Sequence, residues 1–560
     1  MTLQLGARRT LPPADCRGGV LIRGPSRGRR NLVLACALIF LLAWGAHRAT
    51  SESAYDLVIV NGWIVDGTGR PGYRADLGIR DGHIEKVGSL ATAPARAKVD
   101  AQGKVISPGF IDVHVHIEDQ VERSAQRFVA DNFLLQGVTT VITGNCGRSA
   151  PDVAAFFRKL ARLKLAINVA TLVGHNTLRQ QVCGTRRKPT PAQMARLEGL
   201  VRSGIEAGAL GFSTGLCYKP GVFASEEEVV ALVRVTAQEG AVYATHLRDE
   251  AAEGKAALDE AVRTAQRAGA PKLHISHFKA AGHSQWGTAR ARLDGARQAI
   301  GKQTRLTADM YPYTAVSSTL EYLIPPEAFP LLGGPAAARA KNLARAIDLT
   351  LEKLRRDGWP DYSNVRVAFS EKHKEWIGRT IPDIVRSQPG GAASVRDQAA
   401  WILENQARGD IQIIAEEMSE QDVRQLITAP DMVFGSDSSV HYRGLGRPHP
   451  RGAGAFPRIF AQYVRDQKLL TLEEAVRRAT GLAAEIFALP GRGFIREGYW
   501  ADIVIFDPTG LQDRATFEDP WKPPEGIACV VVNGVVAVRG TKLTGALAGR
   551  PLLRVAPGRR

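Results

Sequence analysis

The sequence is short of the features that mark several protein classes. It holds six cysteines in 560 residues, too few for a disulfide-stabilised scaffold. It has no internal repeat of the solenoid type. Its one long apolar run, residues 32–46, falls short of the roughly 20 residues that span a bilayer comfortably. These shortages exclude a disulfide scaffold and a solenoid, and they argue against a typical transmembrane helix.

Acidic residues are outnumbered by basic ones. The chain has 73 Lys and Arg against 56 Asp and Glu, a formal net charge of +17. No recognised nucleic-acid motif and no basic stretch interleaved with aromatic residues accompanies this charge. We therefore predict no nucleic-acid partner, and we expect a basic surface to attract anionic substrates instead.

The first 54 residues differ from the rest of the chain. Eight arginines against two acids precede or flank the apolar run 32–46, which matches the hydrophobic part of a secretory signal. We expect a signal peptide and an exported protein, periplasmic or extracellular, with cleavage near residues 43–45. The basic region before the run is unusually long, so a misassigned start or an uncleaved membrane anchor stays open as an alternative.

Two histidines stand at the end of an apolar, β-branched segment, residues 109–116. In a strand, His114 and His116 share one face, which is the arrangement of half a metal site. Taken alone, two surface histidines on a strand are almost as good an explanation. Four more hydrophobic runs decide the matter, because they end in ligand-type residues, Cys146, His246, His277 and Asp437.

Short hydrophobic segments alternate with helix-like stretches such as 225–239 and 250–268. Eight segments read as buried strands, and these are 108–116, 139–146, 167–174, 208–213, 241–246, 272–277, 305–311 and 431–437. The alternation predicts an α/β fold with parallel strands, and eight strands predict a (β/α)8 TIM barrel over residues 108–490. Such barrels carry their active sites at the C-terminal strand ends, where these ligand-type residues lie.

The rest of the chain is assigned around this barrel. Alternating segments in 55–107 and 491–560 predict one small β-sandwich built from both chain ends. The connection 314–430 is far longer than a typical barrel crossover, and we expect it to cover the site as a lid. Two further histidines lie near strand ends. His175 either lines the pocket or has a hydrogen-bonded structural role, whereas His274 faces the other side of its strand and is expected to be structural.

Together these motifs identify the chain as similar to the amidohydrolase superfamily and, within it, the D-aminoacylase (N-acyl-D-amino-acid deacylase) family. The His-x-His element marks only the superfamily, whereas the cysteine motif and the His-Pro-Arg element are more specific. The similarity runs from about residue 55 to 554 through the segments 109–116, 144–147, 245–250, 276–279, 311–313, 435–437, 449–451, 513–517 and 532–534.

The resemblance implies a zinc centre. His114 and His116 would be ligands of one metal site, and Cys146, His246 and His277 would form the other. A thiolate with imidazoles suits zinc, and one tightly bound ion with a weaker second site is expected. Without the resemblance, an ordinary buried thiol would be the default for Cys146.

Asp437 resembles the catalytic aspartate of the superfamily. Zinc lowers the pKa of water, and a carboxylate can accept the proton and then deliver it to the leaving amine. By resemblance, Lys279 and Arg451, helped by Tyr311, hold the carboxylate of the substrate. Outside this context, Asp437 would be read as a loop or helix-cap residue, and both cations as surface charge.

The implied activity is zinc-dependent hydrolysis of the amide bond of N-acyl-D-amino acids, giving a carboxylate and a free D-amino acid. The preference for the D enantiomer comes from the family alone. A hydrolase of cyclic amides or small dipeptides, on the same metal barrel, is the main alternative. A non-catalytic scaffold is less favoured, because every ligand and the aspartate are present.

Overall fold

We describe a computed structural model of the chain over residues 54–333, 336–389 and 394–555. The predicted leader therefore lies outside the described residues. Within the described ranges, no helix has both the length and the apolar character needed to cross a membrane.

Both ends of the described chain contribute to one nine-stranded sheet, here called the terminal sheet. Its strands are Tyr55–Ile64, Tyr73–Arg80, His83–Gly88, Ala95–Asp100, Val105–Pro108, Ile503–Phe506, Ile527–Val532, Val535–Arg539 and Lys542–Leu543. The join is the antiparallel pairing of Val105–Pro108 with Ile503–Phe506, in which Ile106 lies opposite Ile505. Alternate apolar side chains of these strands pack into a core that includes Ile59, Leu77 and Val531.

Parallel strands form the centre of the molecule, in two sheets. The three-stranded sheet contains Phe110–Asp112, Val138–Thr143 and Asn168–Thr171, and the six-stranded sheet contains Val173–Gly174, Gly211–Gly215, Val242–His246, Lys272–Ile275, Arg305–Met310 and Met432–Phe434. These strands are almost wholly buried, as parallel strands covered by helices usually are. Each of the eight predicted strand segments overlaps at least one of these observed strands, and the segment 167–174 contains two, so the chain has the expected α/β fold.

The first and last central strands meet just beyond their carboxyl ends. The Asp437 amide donates to the His114 carbonyl at 2.8 Å, and the His116 amide donates to the Ser438 carbonyl at 2.8 Å. Residues 113–116 and 435–438 therefore run side by side. This contact brings the His-x-His element next to Asp437, more than 300 residues later in the chain.

Helices connect the strands, and local sequence sets where they begin and end. The helices are Glu118–Arg123, Asp131–Leu134, Val153–Arg162, His175–Val182, Pro191–Glu206, Glu226–Gln238, Gly254–Ala268, Ala289–Ile300, Ala336–Arg356, Ile381–Arg386, Val395–Asn405, Glu420–Ile427, Arg451–Arg458, Leu472–Ala479 and Gly481–Ile486, with a π-helical turn over Ile459–Asp466. Thr190 and Gln193 form a capping box, and the Ser225 hydroxyl caps the helix that carries three glutamates in its first turn. The helix predicted from residue 250 begins only at Gly254, because the preceding residues form a loop that directs Glu250 inward.

The long connection before the last central strand contains its own small sheet. Ala315–Thr319 and Val365–Phe369 both pair antiparallel with Gln412–Glu416. The helix Ile381–Arg386 packs against the strand Val365–Phe369 of this sheet, and Val365, Val367 and Ile413 contribute to the main core. The connection is thus a folded unit rather than an extended loop.

Candidate metal centre

The predicted ligands converge at the carboxyl ends of the central strands. His246 is the last residue of its strand, and each of the others follows its own strand within four residues; they are His114, His116, Cys146, His277 and Asp437. All are buried except His116, whose side chain is 31% exposed, and Asp437, at 11%. Parallel strands place their carboxyl ends at one edge, which is why residues so distant in sequence meet here.

The Cys146 sulfur lies at the centre of this group. It is 3.2 Å from His114 Nε2, 3.4 Å from His277 Nε2 and 3.6 Å from His246 Nδ1. Burial alone would raise the pKa of this thiol, but the neighbouring His114 and His277 outweigh burial and hold it well below its usual value. Cys146 is therefore placed to be a thiolate, the form of cysteine that binds metals.

The donor atoms fit zinc. His114, Cys146 and His277 each offer one ligand atom, and these atoms lie within 4.8 Å of one another. Sulfur and nitrogen ligands of a tetrahedral zinc ion lie about 3.5 Å apart, given the usual zinc-ligand distances. The observed separations of 3.2 to 3.6 Å around the Cys146 sulfur match this value. A thiolate with two or three imidazoles is also the donor set that zinc prefers.

A second group combines His114, His116 and Asp437. Asp437 Oδ1 lies 3.1 Å from His116 Nε2 and 3.6 Å from His114 Nε2. Burial raises the Asp437 pKa, but the Arg451 guanidinium and the neighbouring histidines together lower it by more, so the pKa of this carboxyl stays well below its ordinary value. Burial lowers the pKa of His116, but the hydrogen bonds to Asp437 and Cys146 and the charges of these two groups together outweigh burial and raise that pKa to about 9. Asp437 is thus an ionised base between two imidazoles.

Arg451 holds Asp437 from the opposite side. Its Nη1 lies 2.9 Å from Asp437 Oδ2, and its Nη2 donates to the Asp437 carbonyl at 2.5 Å. The Arg451 guanidinium stacks 4.4 Å from the centre of the Tyr311 ring. Burial raises the pKa of Tyr311 to about 12, so its hydroxyl stays neutral. The structure therefore places Arg451 and Tyr311 beside the candidate base, as a substrate-binding role needs.

Lys279 is already engaged by an acid that the sequence analysis did not identify. Its Nζ lies 2.7 Å from Glu250 Oε1 and 2.7 Å from His277 Nδ1, and its side chain is 3% exposed. Glu250 Oε1 is also 3.1 Å from His277 Nδ1, and its Oε2 is 3.6 Å from His246 Nε2. Glu250 thus faces the outer nitrogens of two ligands. Its position in the segment 245–250, four residues after His246, is the signal that could have revealed it.

Three residues of the centre have left-handed backbones. Their φ angles are 50° for Cys146, 33° for His277 and 49° for Asp437. Residues other than glycine pay about 1–3 kcal/mol for such conformations, which persist where the surrounding structure enforces them. The fold therefore loses some stability at these three residues, whose conformations direct their side chains inward.

Two other histidines, His175 and His274, make hydrogen bonds outside the ligand group. His175 Nε2 lies 2.9 Å from Glu228 Oε1, away from the ligand group, which agrees with the hydrogen-bonded structural role. His274 bonds Thr307 Oγ1 and a second buried acid, Asp309. Within the described residues, the cysteines at 146, 183, 217 and 529 are free.

The sequence matches a family model. Residues 97–538 match the amidohydrolase family, and residues 43–109 match the urease alpha-subunit N-terminal domain. The chain is 34% identical to a D-aminoacylase of Alcaligenes xylosoxydans xylosoxydans, over 90% of this chain and 99% of that protein.

Solved structures give the same result. An N-acyl-D-glutamate deacylase of Bordetella bronchiseptica, complexed with zinc and a phosphonate that mimics the tetrahedral intermediate, aligns with a TM-score of 0.76 at 34% identity, covering 90% of this chain and all of that chain. A D-aminoacylase studied for its binuclear metal centre aligns with a TM-score of 0.74 at 32% identity, covering 89% and 100%. With its thiolate and histidine centre at the strand ends, this chain belongs to the amidohydrolase family and, within it, to the D-aminoacylase family.

Proposed function

We propose that this protein hydrolyses the amide bond of N-acyl-D-amino acids in a zinc-dependent reaction, releasing a carboxylate and a free D-amino acid. The observation that carries the proposal is the buried Cys146 thiolate among three imidazoles, next to a carboxylate paired with Arg451. The relatives named above, a D-aminoacylase and an N-acyl-D-glutamate deacylase, support the same substrate class.

Zinc is the proposed cofactor. His114, His116, Cys146, His246 and His277 would hold it, with one tightly bound ion and room for a weaker second one. A bound zinc ion supplies a water molecule of lowered pKa and polarises the scissile carbonyl. The binuclear centre reported for a D-aminoacylase relative supports a centre of this size.

Asp437 is the proposed proton carrier. Its low pKa keeps it ionised, so it can accept a proton from the attacking water at Oδ1, which faces His116. Once protonated, the same carboxyl can deliver that proton to the amine nitrogen, because an amine anion is a poor leaving group. Arg451 orients the carboxylate throughout through its contact with Oδ2.

The carboxylate of the substrate is proposed to bind among Arg451, Lys279 and Tyr311. The Arg451 and Lys279 charges lie 4.4 and 5.8 Å from the centre of the Tyr311 ring, so they converge on one location. Each cation has an internal acid partner, Asp437 or Glu250, and would share its charge with the substrate. Recognition of a carboxylate by a guanidinium favours paired hydrogen bonds.

We also propose the arrangement of the domains and the cellular location of the protein. The two parallel sheets would be parts of one (β/α)8 barrel, supported by the hydrogen bonds between residues 113–116 and 435–438. The connection 314–430 would cover the site, and the paired chain ends would form the small β-sandwich domain. The leader would direct export or anchor the protein to a membrane.

The proposal is tested with the full chain loaded with zinc. Amine release is measured from matched N-acetyl-D- and N-acetyl-L-amino acids with leucine, glutamate and aspartate side chains. We expect release from the D series, and the preferred side chain follows from the same data. Absence of release from both series by zinc-loaded protein would refute the deacylase proposal.

A hydrolase of cyclic amides or small dipeptides is the second candidate. It is favoured by one observation: both cations proposed for the substrate carboxylate already have buried acid partners, Lys279 with Glu250 and Arg451 with Asp437. Dihydrouracil, hydantoin and a panel of dipeptides are therefore assayed beside the N-acetyl amino acids.

Arg451→Ala separates the two candidates. Loss of a buried, hydrogen-bonded charge typically costs about 2–5 kcal/mol, so we expect kcat/KM for N-acyl-D-amino acids to fall by roughly 30-fold or more. Arg458→Ala is the matched control, because Arg458 stacks on Tyr313, outside the ligand group. Because Arg451 also contacts Asp437, its loss should slow hydrolysis of any substrate, so the losses for N-acetyl-D-amino acids and for hydantoin, which has no free carboxylate, are compared. A ratio of the two losses below about threefold would favour the cyclic amide hydrolase.

A further inference from the structure

Asp309 is a wholly buried acid behind the metal centre. It lies in the strand Arg305–Met310, a position where acidic residues are uncommon. Its Oδ2 lies 3.2 Å from His114 Nδ1 and 2.9 Å from His274 Nε2. Its Oδ1 accepts a hydrogen bond of 3.0 Å from the His277 amide. One carboxylate thus contacts two proposed metal ligands that belong to different strands.

The contact with His114 determines which nitrogen faces the centre. A neutral imidazole carries one hydrogen, and donation from Nδ1 to the Asp309 carboxylate leaves Nε2 with a free lone pair. His114 Nε2 is the atom that lies 3.2 Å from the Cys146 sulfur and 3.6 Å from Asp437 Oδ1. Asp309 therefore selects the form of His114 that can bind a metal.

The contact with His277 acts on the backbone. His277 has a φ of 33°, and its amide is held by Asp309 Oδ1, while the next amide, of Phe278, donates to the Asp309 carbonyl at 2.8 Å. These two bonds fix the turn that directs His277 Nε2 to within 3.4 Å of the Cys146 sulfur. Removal of the carboxylate would take away one of these two bonds to the turn, together with the bond to the ring of His114.

The surroundings leave Asp309 little freedom. His274, bonded to Thr307 at 2.8 Å, holds the carboxylate from behind. On the other side, a Cβ at Gly435 would lie 2.6 Å from the His114 Cβ and 3.0 Å from Asp309 Oδ1, so only glycine fits without displacement. Within the described chain, the ion-pair partners of Asp309 are these two histidines, with no lysine or arginine.

We propose that Asp309 is a positioning residue, which orients the His114 ring through its side chain and the His277 turn through the backbone, and thereby sets the zinc affinity of the Cys146 end of the centre. This inference rests on the zinc centre of the proposed function. Carboxylates behind metal-bound histidines typically contribute 10- to 100-fold to metal affinity.

Zinc affinity and cobalt spectra test the inference without use of the hydrolytic activity. Asp309→Asn is nearly isosteric, and we expect it to weaken zinc binding at least about 10-fold in competition with a chromogenic chelator. We also expect the ligand-field bands of the cobalt(II)-substituted protein to shift, while the cobalt–thiolate absorption from Cys146 is retained. A folded Asp309→Asn protein with zinc affinity within twofold of the wild type and an unchanged cobalt spectrum would overturn the inference.

Two further variants complete the design. Asp502→Asn is the matched control, since Asp502 is a buried acid just before the strand Ile503–Phe506, where it contacts Arg492, Asn533 and Asn168 and none of the proposed metal ligands. It should lower the melting temperature and leave the zinc affinity unchanged. If Asp309→Asn does not fold, His274→Gln, which removes one support of the carboxylate, should still weaken zinc binding about threefold or more, and unchanged affinity would refute the inference.

The inference and the proposed function can fail separately. Tight zinc binding by the wild type without amine release would refute the deacylase proposal and leave the positioning role of Asp309 intact. Amine release by the wild type together with unaltered zinc affinity in Asp309→Asn would refute the positioning role alone.

Discussion

Two buried clusters of charged side chains in this molecule have opposite designs. The first, here called the Glu228 cluster, contains His175, Arg179 and Glu228, all less than 5% exposed. Glu228 binds Arg179 through both oxygens, at 2.7 and 2.9 Å, and His175 at 2.9 Å. Arg179 gives its remaining hydrogen bonds to main-chain carbonyls. The second cluster is the metal centre.

In the metal centre, several donor groups of the same kind also face one another. His246 Nδ1 and His277 Nε2 lie only 2.8 Å apart, and both approach the Cys146 sulfur. The backbone is left-handed at three of its residues, whereas no residue of the Glu228 cluster has a positive φ. Burial and histidine content are common to both clusters. The convergence of donor atoms is what distinguishes a site for a ligand from a structural ion pair.

The sharpest test of this contrast is Asp437→Asn. The amide cannot accept the proton from water, so we expect kcat to fall by about 100- to 10,000-fold while zinc stays bound. Amine release and zinc content measured on the same sample check this expectation. Retained turnover would remove Asp437 from the chemistry.

Glu228→Gln should have the reverse outcome. Removal of one charge from a buried ion pair leaves Arg179 uncompensated and typically costs about 3–5 kcal/mol of stability. We expect a lower urea midpoint, with kcat per folded molecule within about twofold of the wild type. A large loss of kcat in protein that is still folded would contradict the purely structural role of the cluster.

A third buried acid, Glu417, fits neither design and gives the smallest effect. Its hydrogen bonds to Trp359 and Asn364 are long, at 3.4 and 3.5 Å, and burial raises its pKa to about 7. Because the folded state then holds a proton that the unfolded chain loses near pH 4.5, stability falls as the pH rises from about 4.5 to 7.

Glu417→Gln should remove this part of the pH dependence. The variant should match the wild type near pH 4 and exceed it above pH 7, by about 3 kcal/mol at most for a shift of this size. Urea unfolding at pH 4, 6 and 8 measures the difference. The prediction would be contradicted if the wild type became more stable than the variant as the pH rises from 4 to 8.

Much of the centre follows from sequence because its ligands stand at strand ends. The run of apolar residues before His114, Cys146, His246 and His277 is a local signal, and parallel strands then bring the four together without further information. The central strands themselves are predictable for the same reason, since buried parallel strands are continuous apolar runs.

The acids that support the ligands do not follow in the same way. Glu250 and Asp309 act through hydrogen bonds to residues about 30 to 195 positions away, and these pairings depend on side-chain directions that the sequence does not specify. One feature of the sequence does point to Asp309: it is an acidic residue within a predicted buried strand, and such a carboxylate needs a partner. The engagement of Lys279 by Glu250 was equally invisible, because it depends on a loop that delays the start of a helix.

The pairing of Val105–Pro108 with Ile503–Phe506 also bears on how the chain is made. A ribosome adds about 5–20 residues per second, so the first of these strands waits tens of seconds for its partner to emerge. During that interval an apolar strand edge is open to other nascent chains, which is a known route to aggregation. Expression at lower temperature or with added chaperones should therefore raise the soluble yield of this protein.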